Sequence, residues 1–298
     1  MRKQSTGEKI FSFFNIILML VLIVVMLYPL VYVLFASLSE PNRLLSHSGA
    51  LLAPLGFTLG AYKEVLSNVM VTRSLLNTVL YVVVGTSINM LCTITGAYAL
   101  SRRRLWIKKY INFGIVITMF FQGGLIPVYL LVCGLGLRNT MWALILPVSV
   151  NTYNLIVLRT AFSAFPEELE EAAKIDGAND FFILFRLVVS LCGASIAVIV
   201  LFYSVQHWNS WFPASIYLTS RNKYPLQLYL REVLISSNTE SMMGGGTSGG
   251  SMVGSDVQAF SETIKFSVVI VSTIPILCVY PFVQKYFVKG VMIGAVKG

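Results

Sequence analysis

Charge is scarce in this chain. Asp, Glu, Lys and Arg make up 12% of its 298 residues, where an ordinary soluble domain carries about 25%. The cores of its six long apolar runs hold no Asp, Glu, Lys or Arg, and His207 is the one titratable side chain of that kind within them. A proton- or sodium-coupled transporter binds its coupling ion near the membrane midplane with an embedded acid or base, so this absence argues against ion coupling. Histidine is nearly missing as well: His47 and His207 stand far apart in no ligand motif, and no metal is expected. Cys92, Cys133, Cys192 and Cys278 lie in or beside apolar runs without paired spacing, as buried thiols do. The glycine-rich run 243–254 lacks the Lys-Ser or Lys-Thr that must follow the last glycine of a phosphate-binding loop, so it reads as a flexible linker and the chain holds no ATP site.

What is present is apolar. With 56% hydrophobic residues and a mean hydropathy of +0.76, the chain is all-α and integral to a membrane, and its net charge of +9 marks topology rather than nucleic-acid binding. The first span runs from about Ile10 to Leu38, with Pro29 as a candidate kink, and exceeds the 7–15 residues of a signal-peptide core. An outer loop, Ser39 to Ser74, carries a short helix around Ala61 to Leu66. The later spans cover about Leu75 to Leu100, Tyr110 to Cys133, Asn139 to Leu158, Leu187 to Leu218 and Phe266 to Gln284. Gly123, Gly124 and Pro127 predict a bent or opened third span, and Pro147 lies inside the fourth. Thr219 to Lys265 reads as a long polar outer loop. Lys and Arg number three in the N-terminal tail, five in 101–109, three in 159–186 and three in the C-terminal tail, against eight over the longer opposite loops. That bias places both termini in the cytoplasm of a multi-pass cell-membrane protein.

One segment is both charged and set between spans: Pro166 to Ser190, PEELEEAAKIDGANDFFILFRLVVS. Pro166 suits a first helical position, and Glu167 and Glu168 complement the helix dipole. Gly177 can take the left-handed conformation that ends a helix, and Asn179 or Asp180 can cap a second helix running straight on into apolar sequence. The product is helix, turn, helix on the cytoplasmic side. Ala172 and Ala173 offer a smooth face for close approach, while Glu170, Glu171 and Asp176 can accept hydrogen bonds from a basic partner. Taken alone, the same residues also describe an ordinary capped loop helix.

Neutral amides and aromatics in the spans suit a sugar, which needs partners for its hydroxyls and a platform for its ring. The candidates for a substrate pathway are Gln122, Asn151, Asn154, Gln206, Trp208, Asn209 and Trp211, the last four forming the densest cluster. Hydrogen bonding between helices explains any one of them equally simply.

Glu171-Ala172-Ala173, three residues and then Gly177 resemble the EAA loop of bacterial ABC importer permeases, and EEAAKIDGAND resembles the maltose-type carbohydrate branch. The family pattern goes on to a proline where this chain has Ser190, which puts the bend at the start of the fifth span in question. HWNSWFPASIYL, YPLQLYL and the tail YFVKGVMIGAVKG extend the likeness over about Leu75 to the C-terminus. FQGGLIPVYLLV and the tail are most similar to Gram-positive importers of plant-polysaccharide fragments and uronate oligosaccharides. The resemblance implies six transmembrane helices with a cytoplasmic EAA coupling helix, divided into 1–74 (tail, first span, outer loop) and 75–298 (permease core, with coupling loop 163–186, outer loop 219–265 and cytoplasmic tail). It implies a subunit that is not an enzyme, with ATP and Mg bound by two copies of a cytoplasmic ATPase. A second homologous permease and an extracytoplasmic solute-binding protein would complete an ATP-driven oligosaccharide importer working by alternating access. Permeases for a non-sugar solute share this architecture and stay open, and an ion-coupled transporter or a membrane enzyme lacks its required residues.

Overall fold

The computed structural model describes residues 6–102, 107–121, 123–243, 259–260 and 262–278. Every regular element among them is helical, apart from an isolated antiparallel bridge between Ser39 and Phe57. The chain divides into two compact units, one drawn from Met1–Val69 and Glu232–Ile274, the other from Met70–Arg231 and Pro275–Gly298.

The first unit is dominated by α1 (Thr6–Ser37), a single helix through Pro29 whose apolar side chains are exposed along most of its length. It is long and apolar enough to cross a membrane. Its last turns are anchored: Tyr32 meets Phe266 edge-on at 6.0 Å, and Ser37 Oγ lies 2.6 Å from Tyr62 Oη. After α2 (Pro41–Ser46), the expected short helix is α3 (Gly60–Ser67), which buries Ala61 and Val65 one turn apart. The expected loop ends early, because helix resumes at Val69. Val71, Ser74 and Thr78 form a buried stripe there that the polar run Thr72-Arg73-Ser74 conceals.

The second unit is built on α4 (Val69–Ser101), the other continuous helix of spanning length among the described residues. Three helix pairs reach the same length and hydropathy only when each is taken together across a sharp bend. Helices α5 (Lys108–Phe120) and α6 (Leu125–Gly134) meet at 110°, with Gly124 at φ 81° in the break, as the Gly-Gly-Pro sequence predicts. Helix α7 (Trp142–Ile145) continues as a 3-10 turn over Leu146–Val148 and meets α8 (Thr152–Ser163) at 52°. The third pair, Asp180–Leu191 and Gly193–Trp208, bends by 88°. Its first arm is α10 (Asp180–Phe182), a π-wound stretch over Ile183–Val188 and α11 (Val189–Leu191), and its second is α12 (Gly193–Trp208). The second helix of the charged segment runs into the apolar residues after Phe181, as expected, and continues to Leu191 before the bend. The bend forms with Ser, not proline, at position 190, and it falls at Cys192, whose φ of −92° and ψ of 19° leave the helical region ahead of Gly193.

Beyond α13 (Trp211–Tyr217) the first described stretch of the expected polar loop is largely helix α14 (Leu226–Met243). Leu, Gln, Glu and Met are good helix formers, no Gly or Pro interrupts them, and Pro225 provides the start, its carbonyl accepting from Leu228 and Tyr229 N–H at 3.1 Å. Residues 262–278 are helical, and the expected continuation of the span to Gln284 lies outside the described residues. The glycine run past Met243 and the C-terminal tail also lie outside the described residues. Two apolar clusters hold the unit together, one joining Met90–Leu100 of α4 to α8, the π-wound stretch and α12, the other packing Tyr81 against Leu144, Ala214 and Tyr217.

Candidate functional site

The charged segment folds as a helix closed at both ends. Pro166 is the N-cap rather than the first helical residue: its φ of −61° suits either place, but its ψ of 129° is extended. Helix α9 (Glu167–Ile175) then carries Glu167, Glu168 and Glu170 in its first turn and Lys174 in its last, matching the dipole at both ends. At the C-terminus Gly177 takes φ 83°, its N–H donates to Lys174 O at 3.0 Å, and Ala178 N–H reaches back to Ala173 O at 2.9 Å. This pair of bonds around a left-handed glycine satisfies the helix's last carbonyls. Asn179 caps α10, its Oδ1 accepting from Phe182 N–H at 2.8 Å.

Of the six residues expected to dock a partner, Glu171, Ala172, Asp176 and Gly177 are exposed. Ala173 is half-buried against the core that underlies α9. Glu170 is turned inward, 8% exposed, and its carboxylate is shared by Arg102, just past the end of α4, and Lys174. Its neighbour Glu171 lies about 100° further round the helix and faces outward. The sequence reading missed the apolar part of the exposed face, where Ile175 is 86% and Phe181 72% exposed. Large apolar side chains left open on a charged loop were the available signal. Between α9 and the end of α4 lies a cleft of about 390 Å³, lined among others by Tyr98, Arg102, Phe165, Glu167, Glu171 and Asp180.

The pathway candidates separate into two groups. Asn151 is the N-cap of α8, its Oδ1 accepting from Asn154 N–H at 3.1 Å while its own N–H donates to Tyr203 Oη at 3.0 Å. Asn154 is buried. Among the described residues no hydrogen bond joins this pair to the second group, which clusters at the α12–α13 break. There Gln206 is half-buried, and Asn209 donates from Nδ2 to Val205 O at 3.1 Å. Trp208 is 7% exposed with its Nε1–H lacking a partner among the described residues, and Trp211 carries the Arg231 guanidinium 4.4 Å above its ring. Gln122 lies outside the described residues. Asn112 proves to be bonded internally, accepting from Arg159 Nη1 at 2.8 Å, and Arg159 lies in α8, which continues past the expected end of the span.

Long apolar helices, broken spans and a capped amphipathic knob between two of them define a membrane transport subunit. No family model matches the chain. It is 42% identical over 286 residues to the polygalacturonan/rhamnogalacturonan transport system permease protein YtcP of Bacillus subtilis (strain 168), covering 96% of each chain. It is 38% identical over 295 residues to the protein LplC of the same organism, covering 99% of this chain and 97% of that one. Its structure matches that of a bacterial ABC transporter involved in the import of the acidic polysaccharide alginate, with a TM-score of 0.86 and 30% identity, over 96% of this chain and 100% of that chain. The chain belongs to the carbohydrate ABC transporter permeases.

Proposed function

We propose that this chain is one half of the pore of an ATP-driven, binding-protein-dependent importer of acidic plant-polysaccharide fragments. The observation that carries the reading is the α9–Gly177–α10 knob, which leaves Glu171, Ala172, Ile175 and Asp176 exposed between two spans. No such face is needed by a permease driven from within the membrane. In this reading a second homologous permease completes the pore, and two cytoplasmic ATPases, which bind the ATP and Mg, each engage a knob. ATP binding draws the knobs together and opens the pore outward, where a solute-binding protein releases its sugar; hydrolysis restores the inward-facing state. The excess of Lys and Arg on the knob's side places it and both termini in the cytoplasm. Residues 1–74 act as tail, first span and outer loop, and 75–298 as the permease core. The outer segments Ser39–Ser74 and Thr219–Lys265 face the binding protein.

The acidic class is favoured by the relative named for polygalacturonan and rhamnogalacturonan transport and by the structural match to an importer of the acidic polysaccharide alginate. Trp208, Asn209 and Trp211 line the pathway in this reading, with Arg231 offering a cation to a carboxylate beside an aromatic platform. The deciding experiment purifies the complex with its permease and ATPase partners, reconstitutes it in lipid, and measures ATP hydrolysis with binding protein and a panel of acidic and neutral oligosaccharides. Stimulation by oligogalacturonides and not by neutral oligosaccharides is the expected result. Flux driven by an ion gradient without ATP would overturn the reading.

A further inference from the structure

The sequence gives no reason to single out Arg102 from the cluster SRRRLWIKK, yet in the fold it is the most heavily engaged cation of that cluster among the described residues. Its Nη1 donates to Glu170 Oε2, and its Nη2 to Phe162 O at 3.3 Å. Its guanidinium lies 4.8 Å from the centre of the Tyr98 ring and 5.7 Å from that of Phe165. One side chain at the end of α4 thus touches the end of α8, the link into α9 and α9 itself. The other carboxylate oxygen of Glu170 takes Lys174. Lys108 Nζ in turn donates to Ser101 O and Arg102 O at 3.1 and 3.2 Å, fixing the backbone from which Arg102 springs.

The side chains of Arg102 and Glu170 are 16% and 11% exposed, so this is not a solvated surface pair. A buried ion pair contributes little net stability against an apolar contact of the same size, and its distinctive effect is to fix register. Lysine could supply the charge but neither the planar fork nor the stacking face. Apolar packing alone would let α9 slide on the end of α4.

We infer that Arg102 is a positioning residue for energy coupling: through Glu170 it fixes α9 to the end of α4, so that displacement of the knob moves the span as one body. This rests on the importer reading above, and it assigns Glu170 to transmission and Glu171 to docking.

The test compares sugar imported per ATP hydrolysed in the reconstituted complex for wild type, Arg102→Gln, Arg102→Lys, Glu170→Gln and the double variant Arg102→Gln/Glu170→Gln. The double variant removes both charges together, leaves an amide pair and so avoids an uncompensated buried ion if a single change blocks assembly. We expect assembly and ATP hydrolysis to persist in the double variant while import per ATP falls about tenfold, with Arg102→Lys intermediate. Amide hydrogen exchange over residues 167–175 should quicken in the same variants while that over 152–163 stays unchanged. A double variant that assembles and imports at the wild-type ratio overturns the inference. A wild-type complex that hydrolyses ATP without importing sugar removes the importer reading instead, so the two failures are distinct.

Discussion

Nε2 of His207 lies 3.0 Å from Oδ1 of Asn89, with both side chains buried between α12 and α4. The Asn89 amide nitrogen donates to Val148 O at 2.6 Å, so its oxygen faces the imidazole and Nε2 is the donor. Gly85 makes the approach feasible: a Cβ there would fall 2.5 Å from Nε2. The one histidine in an apolar run is therefore a junction between helices. Changing it to Leu leaves a buried acceptor unpaired and should cost about 1–2 kcal/mol, read as a lower Tm of the purified protein. Gly85→Ala drives a methyl group into a ring that Asn89 holds and should cost about 1–3 kcal/mol. Because both effects act on the same contact, the double variant should lose less than the sum of the two.

Gly177 is strained for any other residue by conformation, not by crowding. Its φ is 83°, and a Cβ would meet nothing within 4 Å. Gly177→Ala should therefore cost about 1–2 kcal/mol locally and reduce import while membrane insertion persists. Gly177→Asn, which tolerates the left-handed region, should retain more import than Ala does. Import by Gly177→Ala at the wild-type rate, measured at equal membrane level, would remove this turn from the coupling site.

Glu171 and Glu170 are neighbours with opposite environments. Glu171→Gln should leave the Tm of the isolated permease pair unchanged and weaken ATPase association about tenfold, measured by retention of the ATPase on immobilised permease. Unchanged retention would move docking to the apolar residues Ile175 and Phe181. Those two give the complementary variant, Ile175→Ser/Phe181→Ser, which should also release the ATPase without destabilising the permease.

Trp208 buries an indole N–H that finds no partner among the described residues. Trp208→Phe removes that unpaired donor and should change Tm little, by about 0.5 kcal/mol or less in stability. If the N–H bonds a substrate hydroxyl or the partner permease in the assembled pore, import by the same variant should drop several-fold despite intact stability. Retained import would leave Trp208 as packing alone.

Much of this protein could be read from local chemistry. A run of apolar residues long enough to span a bilayer forms a helix wherever it is placed, so α1 and α4 were legible from composition. The Gly-Gly-Pro break, the left-handed Gly177 and the Asn179 cap follow from residues whose backbone preferences act over one or two positions. Glu171 and Ala172 were legible as an exposed face because the segment around them is polar and flanked by spans.

What the tertiary structure decided are matters of partnership at long range. The bend at Cys192 forms without a proline between two arms whose Ile183, Val188 and Ile199 are buried in one cluster, and α14 is a helix where polarity suggested a loop. Glu170 and Glu171 are the same residue type in adjacent places, and only the position of Arg102, 68 residues away in sequence, turns one inward and leaves the other exposed. His207 likewise takes its role from Asn89, 118 residues away. Sequence fixes which groups can bond or titrate, but the burial that determines what each contact is worth depends on helices brought together only by the fold.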